Sequence, residues 1–301
     1  ISVVVTLYLF EGYLIFSQLS KEQLSKEQLS KEQLYKEQLY EKQAGKKWDR
    51  RTKFEIYEDI KKVNNEIVVI VPPKFYLNEN NLIFPLSGIS NSETFRQCNE
   101  NGYYPTYKSD RYGFNNPDEE WDKKEIEYLL IGDSQTHGQC VNRPNDIGSV
   151  LRTLSNKSVL NLGYGGNGPL IEFATLREYL NSNIKKVLWV YYEGNDLGGL
   201  KIESGNNILN NYLNDLTFTQ NLKFRQNEID DMATNIIEIE KNRNKKERKE
   251  IEREERAKKD REKNFYKLAN LRFLIFSLRN SQPEELQGPR FARILELAKD
   301  L

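Results

Sequence analysis

Hydrophobic positions along this chain fall into separated runs, and the spacing within each run predicts a different element. Val3 to Phe16 is apolar except for Thr6, Glu11 and Gly12. A full membrane span needs about 20 residues, so residues 1–17 are expected to be part of a membrane anchor, a buried core element being the alternative. A five-residue repeat comes next, beginning Gln18-Leu-Ser-Lys-Glu22. Five residues advance a helix by roughly 140°, so the leucines spiral and form no coiled-coil seam. Glu22–Lys26, Glu27–Lys31 and Glu32–Lys36 are helix-stabilising pairs in the favourable order. Residues 18–47 therefore predict a solvated helical stalk. From 48 to 125 the composition becomes globular, with one β-branched strand at Glu66 to Val71 ended by Pro72-Pro73. This stretch is expected to be an N-terminal extension packed against an α/β domain, with Arg111, Tyr112 and Phe114 as candidates to border a cleft.

Residues 126–301 carry the strongest pattern. Leu129-Leu-Ile131 is an apolar run that stops at Gly132-Asp133-Ser134. Ile147, Val150, Leu151 and Leu154 then recur at helical spacing. Val159-Leu-Asn-Leu162 ends in the turn Gly163-Tyr-Gly-Gly-Asn-Gly168, and Val187 to Tyr192 ends in Gly194-Asn195-Asp196. Three successive strands thus carry small or polar groups at the same end. In an open parallel sheet that end faces a crevice, where separate loops build one site. Between 236 and 263 lies a dense mixed-charge run, expected to be a solvated helical insert. Leu268–Leu278 and then Phe291, Ile294, Leu295 and Leu297 return to apolar helical spacing.

At these three blocks the chain resembles the SGNH (GDSL-type) hydrolase family, in a membrane-anchored bacterial form. The resemblance covers about residues 126–200. It implies an α/β fold, a three-layer αβα sandwich around a mainly parallel, flavodoxin-like sheet. It implies Ser134 as the nucleophile, supported by Asp133 in its loop. Gly166 becomes the backbone donor to the oxyanion, with Gly165 the choice if the register shifts by one. Asn195 becomes the side-chain donor. The implied activity is cleavage of a small ester or an acylated glycan through an acyl-enzyme. O-acyl transfer to a surface polysaccharide and non-catalytic glycan binding are the alternatives. The family's Asp-x-x-His block has no counterpart here, and the resemblance implies it beyond Leu301. It also implies a single-pass anchor with the soluble part outside the cytoplasm.

Other chemistry is weakly encoded. Gly163, Gly165 and Gly168 also fit the dinucleotide pattern G-x-G-x-x-G, but an equivalent strand and turn precede them, and no Walker sequence occurs. The single histidine, His137, lies three residues after Ser134 and so on its own side of the site. A base must approach from across a cleft, so His137 is expected to serve as a polar loop or cap residue. The 45 basic and 45 acidic residues cancel, which argues against nucleic acid as a partner. One histidine and two separated cysteines predict no metal site and no cofactor. Cys98 and Cys140 allow either one disulfide or two buried thiols.

Overall fold

The computed structural model of the chain describes residues 34–260, apart from 36, 44, 50, 79, 80, 101, 193 and 195. The expected anchor at 1–17, most of the repeat and everything after 260 lie outside the described residues. Among those described, no helix is long and apolar enough to cross a membrane. The chain divides into two units, residues 1–48 with 244–285 and residues 49–243 with 286–301. In the first, residues 37–43 are helical, and Tyr40 meets Trp48 edge-on at 5.1 Å.

The second unit is mixed α/β and holds two small sheets. Helix α1 (Lys53–Val63) opens on a capping box in which Thr52 and Glu55 satisfy each other's backbone N–H groups. The first sheet has the order β1 (Val68–Val69), β2 (Glu93–Phe95), β3 (Thr106–Lys108), parallel between β1 and β2 and antiparallel between β2 and β3. The strand expected over 66–71 is thus real but short. The second sheet is entirely parallel: β4 (Ile126–Gly132) lies between β5 (Val159–Asn161) and β6 (Ile184–Val190). Leu129, Leu130 and Ile131 are all buried, whichever face they point to, as a central parallel strand requires.

Helices succeed each of these strands: α2 (Ser134–His137) and α3 (Ile147–Ser155) after β4, and α4 (Pro169–Tyr179) after β5. After β6 come α5 (Asp196–Glu203), α6 (Asn207–Asn214) and the long α7 (Gln226–Asp260). Parallel neighbours need such crossovers. Helix α4 is buried on nearly every side, Arg177 being its least covered residue. Its Glu178 accepts hydrogen bonds from Tyr212 Oη, Thr219 Oγ1 and the N–H groups of Gln220 and Leu222. That carboxylate is therefore a structural anchor for the chain after α6.

One expectation about helices changes, and one is extended. The apolar spacing at 147–154 does mark a helix, but Ile147, Val150 and Leu154 are exposed while Gly148 and Ser149 face inward. The charged run is helical as far as it is described, to Asp260, and α7 crosses the boundary between the two units at 243/244. That helix starts at Gln226, and its first turns bury Ile229, Ala233, Ile236 and Ile237.

The extension is tied into the parallel sheet by buried polar groups. Asp110 accepts from Tyr112 N, Phe114 N, Asn116 Nδ2 and Trp121 Nε1. Asn116 in turn exchanges two bonds with the backbone of Asn161 at the end of β5. Arg111 pairs with Asp118 and Asp122, Phe114 is fully buried, and Tyr112 packs edge-on against Trp121 and Tyr179. Tyr112 and Phe114 thus pack the extension against Tyr179 of α4, while the Arg111 ion pairs lie within the extension itself.

Candidate active site

The site begins where β4 ends. A side chain at Gly132 would strike Thr136 Oγ1 and come within 2.8 Å of the Val190 carbonyl oxygen on β6. Glycine there lets the strand end, the next strand and the helix after it close together. Asp133 is buried, and its Oδ1 accepts from Gln135 N at 2.9 Å, which opens α2. Ser134 is the first residue of that helix and is partly exposed, with Oγ 3.4 Å from Asp133 Oδ2. After α2 the chain turns at Gly138, which is left-handed at φ 70°.

The extension holds the segment just after that turn. Arg96 is fully buried and donates to the carbonyl oxygens of Gly138 and Val141, each at 2.7 Å. Cys98 and Cys140 form a disulfide, resolving the choice the sequence leaves open. The one cluster among the described residues with metal-like spacing is Cys98, Glu100 and Cys140. Both of its sulfurs are committed to that bond.

The second loop is fastened directly to the first. Asn161 Nδ2 donates to the Thr136 carbonyl oxygen at 2.5 Å, and its Oδ1 accepts from Gly163 N at 3.0 Å. A side chain at Gly163 would lie 2.6 Å from Thr136 Cβ and 2.7 Å from His137 N. One at Gly165 would lie 2.5 Å from Gln139 Oε1 and 3.9 Å from Ser134 Cβ. Gly166 then takes a left-handed φ of 81°, available to glycine at no steric cost. Ser134 and the Gly165–Gly166 turn are thus neighbours. Among the described residues, neither the Ser134 nor the Gly166 N–H donates a hydrogen bond. The third loop leaves β6 beside Gly132, but Asn195 itself lies outside the described residues.

His137 is not the loop or cap residue expected. Its imidazole is fully buried, stacked on Tyr164 at 5.0 Å and meeting Tyr107 edge-on at 5.2 Å. Neither ring nitrogen has a hydrogen-bond partner. Burial, and secondarily the Arg96 charge, hold its pKa well below the usual imidazole value. His137 is a neutral core aromatic. The sequence misleads because the rings that cover it, Tyr107 and Tyr164, are about 30 residues away along the chain.

The nucleotide reading of the glycine turn also fails on geometry. A phosphate at that turn would use the N–H groups opening α4. Here Glu203, itself buried, occupies them, accepting from Gly168 N at 2.6 Å, Leu170 N at 2.9 Å and Ile171 N at 3.3 Å. The chain's own carboxylate fills the anion position.

Two neighbours of the site carry no sequence signal. Gln139 reaches the turn from the end of α2, and Lys74 reaches it from the short 3₁₀ turn Pro73–Tyr76 after β1. Lys74 comes after a strand of the other sheet, so no local spacing links it to Ser134. No family model, curated protein or solved structure matches this chain.

Proposed function

We propose that this chain is a serine-dependent hydrolase of the SGNH type, cleaving carboxyl esters or acylated glycans through an acyl-enzyme. The observation that carries the reading is the placement of a partly exposed Ser134 beside the Gly165–Gly166 turn, with two amide N–H groups left undonated. Such donors stabilise the charge that develops on a carbonyl oxygen, and each is typically worth about 10²–10³ in turnover. On this reading the finer fold is the three-layer αβα sandwich, with β4 as its central strand.

The chemistry proceeds in two halves. Ser134 Oγ bonds to the carbonyl carbon while its proton passes to a base, and the carbonyl electrons move onto oxygen. Gly166 N–H, Ser134 N–H and the Asn195 amide hold that oxyanion. Its collapse breaks the bond to the alcohol, which leaves with the proton. Water then repeats the sequence on the acyl-serine and releases the acid. No metal or cofactor enters these steps. The base is not His137, which is buried among aromatic rings. The family reading assigns it to an Asp-x-x-His, a block not found among these 301 residues.

A second reading is a glycan-binding protein that keeps the fold and not the reaction. A fluorophosphonate separates the two, applied to protein expressed from its complete coding sequence. Covalent labelling at Ser134, lost in Ser134→Ala, is the outcome the hydrolase reading expects. A folded protein that takes no label supports the binding reading instead. Transfer to a sugar hydroxyl uses the same residues, and product analysis with an acetyl donor and a glycan acceptor distinguishes it from hydrolysis. Placement outside the cytoplasm, tethered through residues 1–17, is part of the proposal. The Cys98–Cys140 disulfide supports it, because such bonds persist in oxidising compartments.

A further inference from the structure

The Gly165–Gly166 turn has a charged neighbour that the acyl-transfer scheme does not use. A Cβ built on Gly166 would lie 3.0 Å from Lys74 Cδ and 3.2 Å from Lys74 Nζ. The ammonium therefore rests against the glycine whose N–H is assigned to the oxyanion. Lys74 is exposed, and among the described residues its side chain makes no hydrogen bond or ion pair. Its backbone is fixed even so: Leu77 N donates to the Lys74 carbonyl oxygen at 3.3 Å, and Pro73 starts the turn. Nearby, Lys53 is partly buried against the Phe54 and Phe75 rings. Burial holds Lys53 below its ordinary pKa, Glu240 works against this, and the Lys74 charge adds to the lowering.

An unpaired ammonium held beside a reaction centre gains most from a substrate that brings the missing anion, since charge-assisted hydrogen bonds are about twice as strong as neutral ones. We propose that Lys74 is a specificity-determining residue of the Ser134 site, selecting esters that carry a carboxylate or phosphate within a few bonds of the scissile carbonyl. The proposal rests on the hydrolase reading. It differs from an oxyanion role in that Lys74 discriminates between substrates and leaves the reaction of neutral esters alone.

The test compares isosteric esters on protein expressed from its complete coding sequence. One pair places the charge on the alcohol half: 4-carboxyphenyl acetate against 4-carbamoylphenyl acetate. The other places it on the acyl half: phenyl hydrogen glutarate against its monoamide. In at least one pair the wild type is expected to prefer the anion by about tenfold in kcat/KM, the size of one charge-assisted contact near the surface. Lys74→Met should reduce that ratio to about one with the neutral ester within about twofold of wild type, and Lys74→Arg should retain it. No preference in either pair, or an equal loss on charged and neutral esters in Lys74→Met, overturns the proposal and leaves the hydrolase reading standing. Absence of any Ser134 labelling by the fluorophosphonate removes both.

Discussion

Single residues explain why this chain's ionisable groups divide between scaffold and site. Asp110 is fully buried, and burial raises its pKa from 3.8 to about 6 despite four donors that oppose the shift. A carboxyl with a raised folded pKa contributes stability that is complete below pH 3.8 and lost as pH rises through about 6. The whole rise corresponds to about 3 kcal/mol. His137 has the opposite sign. Its folded pKa is lowered, so its contribution is present above 6.5 and falls as pH drops below that value. The two slopes oppose each other in the wild type, and a variant is needed to see either. Asp110→Asn removes one titration. Urea unfolding at about pH 4 and about pH 6.5 should show the wild type losing roughly 2 kcal/mol relative to Asp110→Asn, most of the full effect. A difference independent of pH would mean that Asp110 is ionised throughout.

The residues of the candidate site differ in how far the sequence reveals their position in the fold. Ser134 and Gly166 are legible because each comes after its own apolar strand, and parallel pairing brings strand ends together whatever their separation along the chain. Asn195 stands in the same kind of block, but its position is outside the described residues. Arg96, Gln139 and Lys74 are not legible. Each acts across the fold or around a turn, through contacts that no local periodicity records. His137 misleads for a related reason: a histidine among polar neighbours looks exposed until Tyr107 and Tyr164 close over it.

At the scale of elements, β4 and β5 match their apolar runs, whereas β6 starts earlier, at Ile184, and leaves Val187 and Leu188 exposed, and the face of α3 does not match its spacing. Helix α3 has the amphipathic spacing of a packed helix, yet its inward positions are Gly148 and Ser149. A Cβ on Gly148 would lie 3.2 Å from Asn161 Cβ, so the backbone approaches the end of β5 too closely for the apolar stripe to face it. Ser149 is held by Asp146, which accepts from both its N–H and its hydroxyl. Helix α4 is instead defined by the group that meets its first turn. Three backbone donors end on Glu203, and a side chain at Gly168 would collide with that carboxylate. Glu203→Ala leaves these buried N–H groups unsatisfied, at about 1–3 kcal/mol each. The variant should therefore lose about 3 kcal/mol or more in urea unfolding. A loss under about 1 kcal/mol would show that water replaces the carboxylate freely. Because α4 carries the glycine turn at its start, the same variant should also slow fluorophosphonate labelling of Ser134.

For the whole molecule, the extension and the parallel sheet are joined by one covalent link and several buried polar ones, and their contributions can be separated. The disulfide joins residues 42 apart in the chain. In the chain-entropy model a loop of that size stabilises the fold by about 4 kcal/mol, through restriction of the unfolded chain. Arg96 acts on the folded state, gripping Gly138 and Val141 on either side of Cys140. Cys98→Ser with Cys140→Ser should therefore lower the unfolding free energy by about 2–4 kcal/mol. The rate of Ser134 labelling should stay close to wild type, because Arg96 still sets the segment after Ser134. Arg96→Met should do the reverse in emphasis. It removes the donor to the Val141 carbonyl oxygen and leaves the Gly138 carbonyl oxygen with Val141 N alone, loosening the segment that carries Gln139 to the glycine turn, so labelling should slow in the folded protein. If the cysteine variant lost labelling at temperatures where it remains folded, the covalent link, and not Arg96, would be what positions the site.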